Sequence, residues 1–192
     1  MSAEQRRSQL LDVTKAIALD RGFHAVSIEA VARAAGITRP VVYGHFHDLP
    51  GLLSALIDRE TQRSLAQLET VLDYDLAAGD PADELLRSLR AYLEAVGSDP
   101  ATWRLVLMPQ EGAPEILHER IARGRAEVVG RLAAAVRPGF GRGGASPDPE
   151  LTARMLSAFA DELARLLLTD PGAYPVERLL AHARWTLDQL RP

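Results

Sequence analysis

The sequence predicts an all-α fold, and three observations support this prediction. Apolar residues recur three and four positions apart through most of the 192 residues. No stretch alternates regularly between apolar and polar residues, so no strand is predicted. Ser, Thr, Asp, Gly and Pro stand where helices are expected to begin or end. Together these features predict nine helices, three at the front and six in a larger body.

The front of the chain is predicted to form three helices. The first covers roughly residues 4 to 21, with an apolar stripe at positions three and four apart: Leu10, Leu11, Thr14, Ile17 and Ala18. Gly22 is placed to end it. Ser27 is predicted to cap the second helix and Thr38 the third, which has a Pro in its first turn. Gly36 ends the second helix in a turn that favours positive φ.

Six further helices are predicted after a cap at Asp48. They cover approximately residues 49–76, 81–96, 100–107, 114–136, 150–169 and 175–190. Residues 137–149, rich in Gly and Pro, are predicted to form a flexible loop.

Composition excludes several kinds of functional site. Hydrophobic residues make up 47% of the chain, enough for a folded core. The absence of cysteine excludes disulfides, thiolate metal sites and a Cys nucleophile. No apolar run has the length of a signal peptide core or a membrane span, so we expect a cytoplasmic protein with no membrane partner. His45 and His47 have no carboxylate partner in sequence, so neither a metal site nor a cofactor is predicted.

Charge is distributed unevenly along the chain. The net charge is -4, but residues 1–48 carry +1, which leaves -5 for the remainder. This sign suits a nucleic-acid contact near the N-terminus and an acidic body.

Residues 27–46 have the layout of two short helices joined by a turn that contains Gly. One set of apolar residues is placed to meet between these helices and the first: Ile28, Val31, Ala32, Ile37, Val42 and Phe46. The outward positions of the third helix hold donors and apolar groups instead of the usual Glu, Lys or Gln. Arg39 suits guanine O6 and N7, and Val41 suits a thymine methyl group. Tyr43 and His45 suit phosphate oxygens.

The run SIEAVARAAGITRPVVYGHF closely resembles the DNA-binding domain of the tetracycline-repressor (TetR) family. The residues that carry the resemblance are Ser27, Ile28, Val31, Ala32, Ala35, Gly36, Ile37, Thr38, Val42, Tyr43, His45 and Phe46. The resemblance implies a three-helix DNA-binding domain with a helix-turn-helix in residues 1–47. It also implies a six-helix effector-binding and dimerisation domain in residues 48–192.

The family's function is expected to follow. The resemblance implies a homodimeric repressor, not an enzyme, that binds a near-palindromic operator in double-stranded DNA and is released by a small, largely apolar effector. The predicted DNA-binding residues are Ser27, Thr38, Arg39, Pro40, Val41, Tyr43, Gly44, His45 and His47. Two departures from the family pattern, Gly44 and Leu49, remove contacts that many relatives have. Affinity is then expected to depend more on Arg39, the two histidines, Arg6 and Arg7.

The body is predicted to supply a ligand pocket and a dimer interface. The candidate pocket residues are Leu89, Tyr92, Leu93, Trp103, Leu107, Met108, Leu117, Ile121 and Phe159. The candidate interface residues, on the last two helices, are Leu156, Phe159, Leu163, Leu167, Leu180, Ala183 and Leu187. Apolar residues on amphipathic helices are more often core than contact, so core packing is the alternative for both sets.

Two other functions stay open at this point. A constitutive helix-turn-helix regulator without a ligand would have the same sequence features. An all-helical enzyme is the alternative from another class, but neither a phosphate-binding Gly loop nor a metal-ligand cluster is evident.

Overall fold

The computed structural model describes residues 1–69, 71, 80–109, 112–137 and 148–189. Within these ranges the chain forms nine α-helices and no strand, which confirms the all-α prediction. The helices are α1 (Ala3–Arg21), α2 (Ile28–Ala34), α3 (Arg39–Phe46), α4 (Leu49–Glu69), α5 (Pro81–Ser98), α6 (Pro100–Leu107), α7 (Glu115–Val136), α8 (Pro149–Thr169) and α9 (Val176–Gln189). A 3-10 turn at Phe23–Ala25 was not predicted. Most of the predicted loop 137–149, and the predicted extension of α4 to residue 76, lie outside the described residues.

Two predicted caps are confirmed by hydrogen bonds at helix starts. The Ser27 Oγ accepts from the Ala30 N–H at 3.1 Å at the start of α2. The Asp48 Oδ1 accepts from the Gly51 N–H at 2.7 Å at the start of α4. Each cap satisfies an amide that has no partner inside its own helix.

The helices are organised in two compact units. The first contains Met1–Arg63 and Arg104–Ala122, and the second contains Ser64–Trp103 and Arg123–Pro192. Helices α4, α6 and α7 therefore contribute residues to both units. The predicted division at residues 47 and 48 concerns functional parts and stays a prediction.

The first unit has one apolar core in which the three front helices meet α4. The predicted core residues Ile28, Val31, Ala32, Val42 and Phe46 are all buried there, and Ile37 packs against them. Residues from later helices join the same cluster: Leu52, Leu56, Ile57, Leu105 and Leu117. Because burying one such side chain contributes about 1.5–3 kcal/mol, this core is the main source of stability for the unit.

Ion pairs attach α1 to α4 inside the first unit. The Lys15 Nζ lies 2.7 Å from the Glu60 Oε2, and Glu60 is only 2% exposed. An Arg59 Nη1 lies 2.8 Å from the Asp12 Oδ1. The Arg59 Nη2 also lies 2.7 Å from the Glu60 Oε1, so two cations compensate the buried carboxylate. These ion pairs therefore fix the position of α1 along α4.

The second unit contains a buried aromatic and polar cluster. The buried Tyr92 donates its hydroxyl to the Asp161 Oδ1 at 3.0 Å, and the Arg125 Nη2 donates to the Asp161 Oδ2 at 2.7 Å. The rings of Tyr92 and Trp103 meet edge to face at 5.4 Å, and the Trp103 Nε1 donates to the Gln67 Oε1 at 2.7 Å. Burial, followed by the negative charge of Asp161, raises the pKa of Tyr92 well above its ordinary value.

We predict that Gly51→Ala destabilises the protein. A Cβ at Gly51 would lie 2.3 Å from the Phe46 carbonyl oxygen, so the α3–α4 junction would have to shift. We expect a loss of about 2 kcal/mol or more in the free energy of unfolding, measured in urea. The matched control is Gly44→Ala, where an added Cβ would meet no side chain and no backbone outside its own helix within 4 Å. This helix-interior change is expected to stabilise by about 0.5–1 kcal/mol, and equal stability of the two variants would contradict the prediction.

We predict that the free energy of unfolding of Tyr92→Phe depends less steeply on pH in alkaline solution than that of the unsubstituted protein. Folded Tyr92 keeps its proton at pH values where an unfolded tyrosine has lost it, because its pKa is raised. Its contribution is therefore complete below about pH 10 and declines as the pH rises above that value. The variant should lose about 1 kcal/mol at neutral pH and depend less on pH above about pH 10 in urea unfolding. If the free energy of unfolding changed with pH equally in the variant and the unsubstituted protein, the prediction would be refuted.

Candidate nucleic-acid interface

The turn between α2 and α3 closes through three backbone hydrogen bonds. The Ala35 N–H donates to the Val31 carbonyl at 2.9 Å, the Gly36 N–H to the Arg33 carbonyl at 3.2 Å, and the Ile37 N–H to the Ala32 carbonyl at 3.0 Å. Gly36 has φ 67, which confirms the predicted positive φ. The last two bonds form a Schellman motif, in which a left-handed residue reverses the chain after a helix. This motif sets the direction in which α3 leaves α2.

Helix α3 divides into a buried and an exposed side. Val42 is completely buried and Phe46 nearly so, whereas Val41 is 40% and Tyr43 48% exposed. The other predicted outward residues of this segment, Thr38, Arg39, Pro40 and Gly44, are exposed as well. His45 differs from the expectation because it is half-buried, with its ring 6.1 Å from that of Phe46. The exposed side therefore presents a cation, a hydroxyl, a phenol and a branched apolar group.

The start of α3 carries the positive end of the helix dipole, although Pro40 has no N–H and the Val41 N–H donates to the Thr38 carbonyl at 3.1 Å. Thr38 occupies the N-cap position as predicted, but its side chain makes no capping hydrogen bond. The first amides of a helix point outward and carry partial positive charge, so this end favours an anion. Arg39 adds a full positive charge at the same end.

A groove beside the start of α3 includes two charged residues that sequence reasoning missed. It is lined by Glu29, Ala32, Arg33, Ile37, Thr38, Arg39 and Pro40. Glu29 and Arg33 stand one helical turn apart on α2, and that spacing is the signal that could have found them. A carboxylate here accepts from a cytosine amino group but repels phosphate, so Glu29 favours base contacts over backbone contacts.

Ser27 and His47 lie at the two ends of the predicted DNA-binding set. Ser27 is exposed, and its hydroxyl accepts the cap hydrogen bond while its own proton stays available to donate. His47 is exposed at the end of α3 with φ 63, a left-handed conformation that few non-glycine residues adopt. Leu49, the departure from the family pattern at the start of α4, is half-buried and packs against the core of the first unit. Contact of Ser27 or His47 with DNA stays a prediction.

The predicted pocket residues fall in both units. Leu107, Met108, Leu117 and Ile121 belong to the first unit, where Leu117 is part of the apolar core. The second unit contains the remaining five: Leu89, Tyr92, Leu93, Trp103 and Phe159. Among these, Tyr92 and Trp103 take part in the polar cluster described above. Lining of a ligand cavity by any of them stays a prediction.

The predicted interface residues differ in exposure. Four of them are buried within this chain: Leu163, Leu167, Leu180 and Ala183. Leu156 and Leu187 are half-buried, and Phe159 is exposed. Sequence reasoning did not select Trp185, whose side chain is 58% exposed and stacks on His182 with ring centroids 5.6 Å apart.

The described part of the chain has neither a cluster of metal ligands nor a helix that could span a membrane. Within it, no group of three or more His, Asp or Glu residues is placed to hold a metal ion. No helix in the same part is long and apolar enough to cross a membrane.

Comparison with known proteins places this geometry in a family. Residues 10–56 match the family model described as bacterial regulatory proteins, tetR family. They contain most of α1, the helix-turn-helix and the start of α4. An uncharacterized HTH-type transcriptional regulator of Mycobacterium tuberculosis is 28% identical over 171 residues, which is 88% of this chain and 77% of the relative. The HTH-type transcriptional activator FasR of Mycolicibacterium smegmatis is 27% identical over 103 residues, 54% of this chain. The chain spans about half of FasR, 46% of its length.

The fold agrees with a solved structure over nearly the whole chain. A TetR-like transcriptional regulator from Rhodococcus sp. RHA1 superposes with a TM-score of 0.73 at 24% identity, covering 93% of this chain and 91% of that one. At this identity the likeness shows the fold alone. The match with the family model therefore assigns residues 10–56 to the TetR family of bacterial transcriptional regulators.

Proposed function

We propose that this regulator is a homodimeric repressor that acts in the cytoplasm, binds a near-palindromic operator through α2 and α3, and is released by a small, largely apolar effector. The proposal is carried by the distribution of exposed large apolar side chains. Apart from Met1, the described examples are confined to two places: Val41 and Tyr43 on α3, and Leu151, Met155, Phe159 and Trp185 on α8 and α9.

The exposed side of α3 suits the major groove of DNA. The groove admits an α-helix, and its base edges offer guanine acceptors for Arg39 and a thymine methyl group for Val41. Tyr43 and the start of α3 suit phosphates, because the exposed phenol can donate to an anion and the helix start carries partial positive charge. Helix α3 has only eight residues, so one copy contacts few base pairs. Two copies on half-sites about one helical turn apart would supply the missing specificity.

Helices α8 and α9 suit contact with a second copy of the chain. Leu151, Met155 and Phe159 recur every fourth residue and lie on one face of α8, with Met155 66% exposed. Trp185 adds a large exposed aromatic group on α9. Aromatic and Met side chains are enriched at interfaces, and burying them favours association. The predicted residues Leu156 and Leu187 are half-buried and would complete the contact.

Control by an effector is supported by the chemistry of the second unit. Tyr92 and Trp103 combine apolar rings with a hydroxyl and an indole N–H fixed by hydrogen bonds, a mixture that binding pockets also have. An effector releases DNA only if it binds the released state more tightly than the DNA-bound state. Because the relative FasR is named an activator, the position of the operator relative to its promoter is needed to establish repression.

Selection of bound duplexes from a random pool tests the operator. We expect two inverted half-sites about one helical turn apart. Enrichment of a single half-site, or of none, would contradict a dimeric operator complex. The genes beside the matching genomic site indicate candidate effectors. If none of these changes the fluorescence anisotropy of the complex, the constitutive regulator becomes the better description.

Arg39→Ala is predicted to weaken binding to the selected duplex by about 1–3 kcal/mol and to relax the preference at one base pair. The reason is loss of a bidentate contact with guanine. Fluorescence anisotropy with single-base variants of the duplex measures both effects. Arg87→Ala, which alters an exposed ion pair on α5, is the control and should bind as the unsubstituted protein does. Unchanged affinity of Arg39→Ala would remove the base contact from the proposal.

Met155→Asp is predicted to shift the protein from dimer to monomer. A carboxylate on the apolar face of α8 would be buried without a partner in the dimer, at a cost of several kcal/mol. Sedimentation velocity at micromolar concentration measures the change. Ala126→Asp, at an exposed position of α7, is the matched control and should stay dimeric. A dimer that persists in Met155→Asp would place the interface elsewhere.

A further inference from the structure

Arg7 on α1 makes two contacts with the last turn of the recognition helix α3. Its Nη1 donates to the His45 carbonyl oxygen at 3.0 Å. Its guanidinium carbon lies 4.5 Å from the centroid of the Phe46 ring, in cation–π geometry. Phe46 is 3% exposed, so the guanidinium lies on one face of a core aromatic ring. Arg7 is therefore bound to α3 through both a backbone atom and a side chain.

These contacts occur where α3 needs support. The last carbonyls of a helix have no partners within it, and they carry partial negative charge. The His47 N–H donates to the Tyr43 carbonyl at 2.9 Å, and the Asp48 N–H donates to the Phe46 carbonyl at 2.7 Å. Arg7 donates to the His45 carbonyl, which lies between those of Tyr43 and Phe46 along the chain. It also brings a positive charge to the negative end of the helix.

Helix α1 itself is attached to α4 further along its length. Lys15 pairs with the buried Glu60, and Asp12 pairs with Arg59. Arg7 thus completes a continuous set of polar contacts, from α4 through α1 to the end of α3, all inside the first unit. The direction of α3 is set at its start by the turn after α2 and at its end by Arg7.

We propose that Arg7 is a positioning residue for sequence recognition: it holds the end of α3 against α1 and makes no phosphate contact. The sequence alone suggested that Arg6 and Arg7 both add to DNA affinity. A guanidinium bound to His45 and Phe46 would have to give up both contacts to reach a phosphate. Its removal should therefore affect the discrimination between DNA sequences more than the attraction to DNA in general.

The matched pair of variants is Arg7→Gln and Arg6→Gln. Each removes one positive charge at the same end of α1, but Arg6 donates to Gln9 on its own helix at 2.7 Å. Comparing the two cancels the general effect of charge on DNA binding. Arg7→Lys keeps the charge and a donor, so it should restore part of the lost discrimination.

Anisotropy titrations use the duplex selected from the random pool and a mixed-sequence duplex of equal length. Relative to Arg6→Gln, Arg7→Gln should bind the selected duplex about tenfold more weakly and the mixed duplex equally well. The dependence of affinity on salt should be the same in both variants, because no additional phosphate contact is lost. Equal loss on both duplexes, with a salt slope reduced by about one, would identify a phosphate contact and overturn the proposal. Equal affinities of Arg7→Gln and Arg6→Gln for both duplexes would also overturn the proposal.

Amide hydrogen exchange tests the same proposal without DNA. Arg7→Gln should speed exchange at the His47 and Asp48 amides several-fold, while the amides of α2 keep their rates. Unchanged exchange at the end of α3 would overturn the positioning role whatever the DNA results. Because the titrations rest on the proposed operator and exchange does not, failure of one proposal is distinguishable from failure of the other.

Discussion

A helix of eight residues is too short to be stable in water by itself, and this limit governs the recognition helix. Forming the first turn costs more entropy than one hydrogen bond returns, so isolated helices need roughly 12–15 residues even with favourable sequences. Helix α3 therefore depends on its surroundings: the turn at Gly36 before it, the burial of Val42 and Phe46 beneath it, and Arg7 at its end. The exposed side chains of α3 that suit DNA are positioned by these supports.

The core that supports α3 is assembled from distant parts of the chain. Leu52 and Leu56 come from α4, while Leu105 and Leu117 come from α6 and α7. Asp58 and Arg120 also join α4 to α7 in this unit, with 2.9 Å between Oδ1 and Nη2. The first 47 residues alone would lack these partners. A change in α4 or in residues 104–122 would therefore act on the same packed core that seats the recognition helix.

The two groups of exposed apolar residues have different chemistry, which fits two different partners. On α3 they stand beside Arg39 and a helix N-terminus, both of which favour an anion. On α8 they follow one another at i, i+4 and i+8, a spacing that suits packing against another helix. An apolar stripe of that kind is costly to leave in water, and burial against a second copy removes the cost.

Features that depend only on neighbouring residues could be predicted from the amino-acid sequence. Helical periodicity, the caps at Ser27 and Asp48, the positive φ of Gly36 and the two sides of α3 are all local, because they arise within one or two turns. It could not be predicted which helices share a core and which charges meet, because both depend on how the helices pack. The Lys15–Glu60 pair, the contact of Arg7 with α3, and the groove containing Glu29 and Arg33 join residues whose distance in space depends on helix packing. The same is true of α8 and α9, where only packing separates the buried Leu163 from the exposed Met155, since both fit an amphipathic helix equally well.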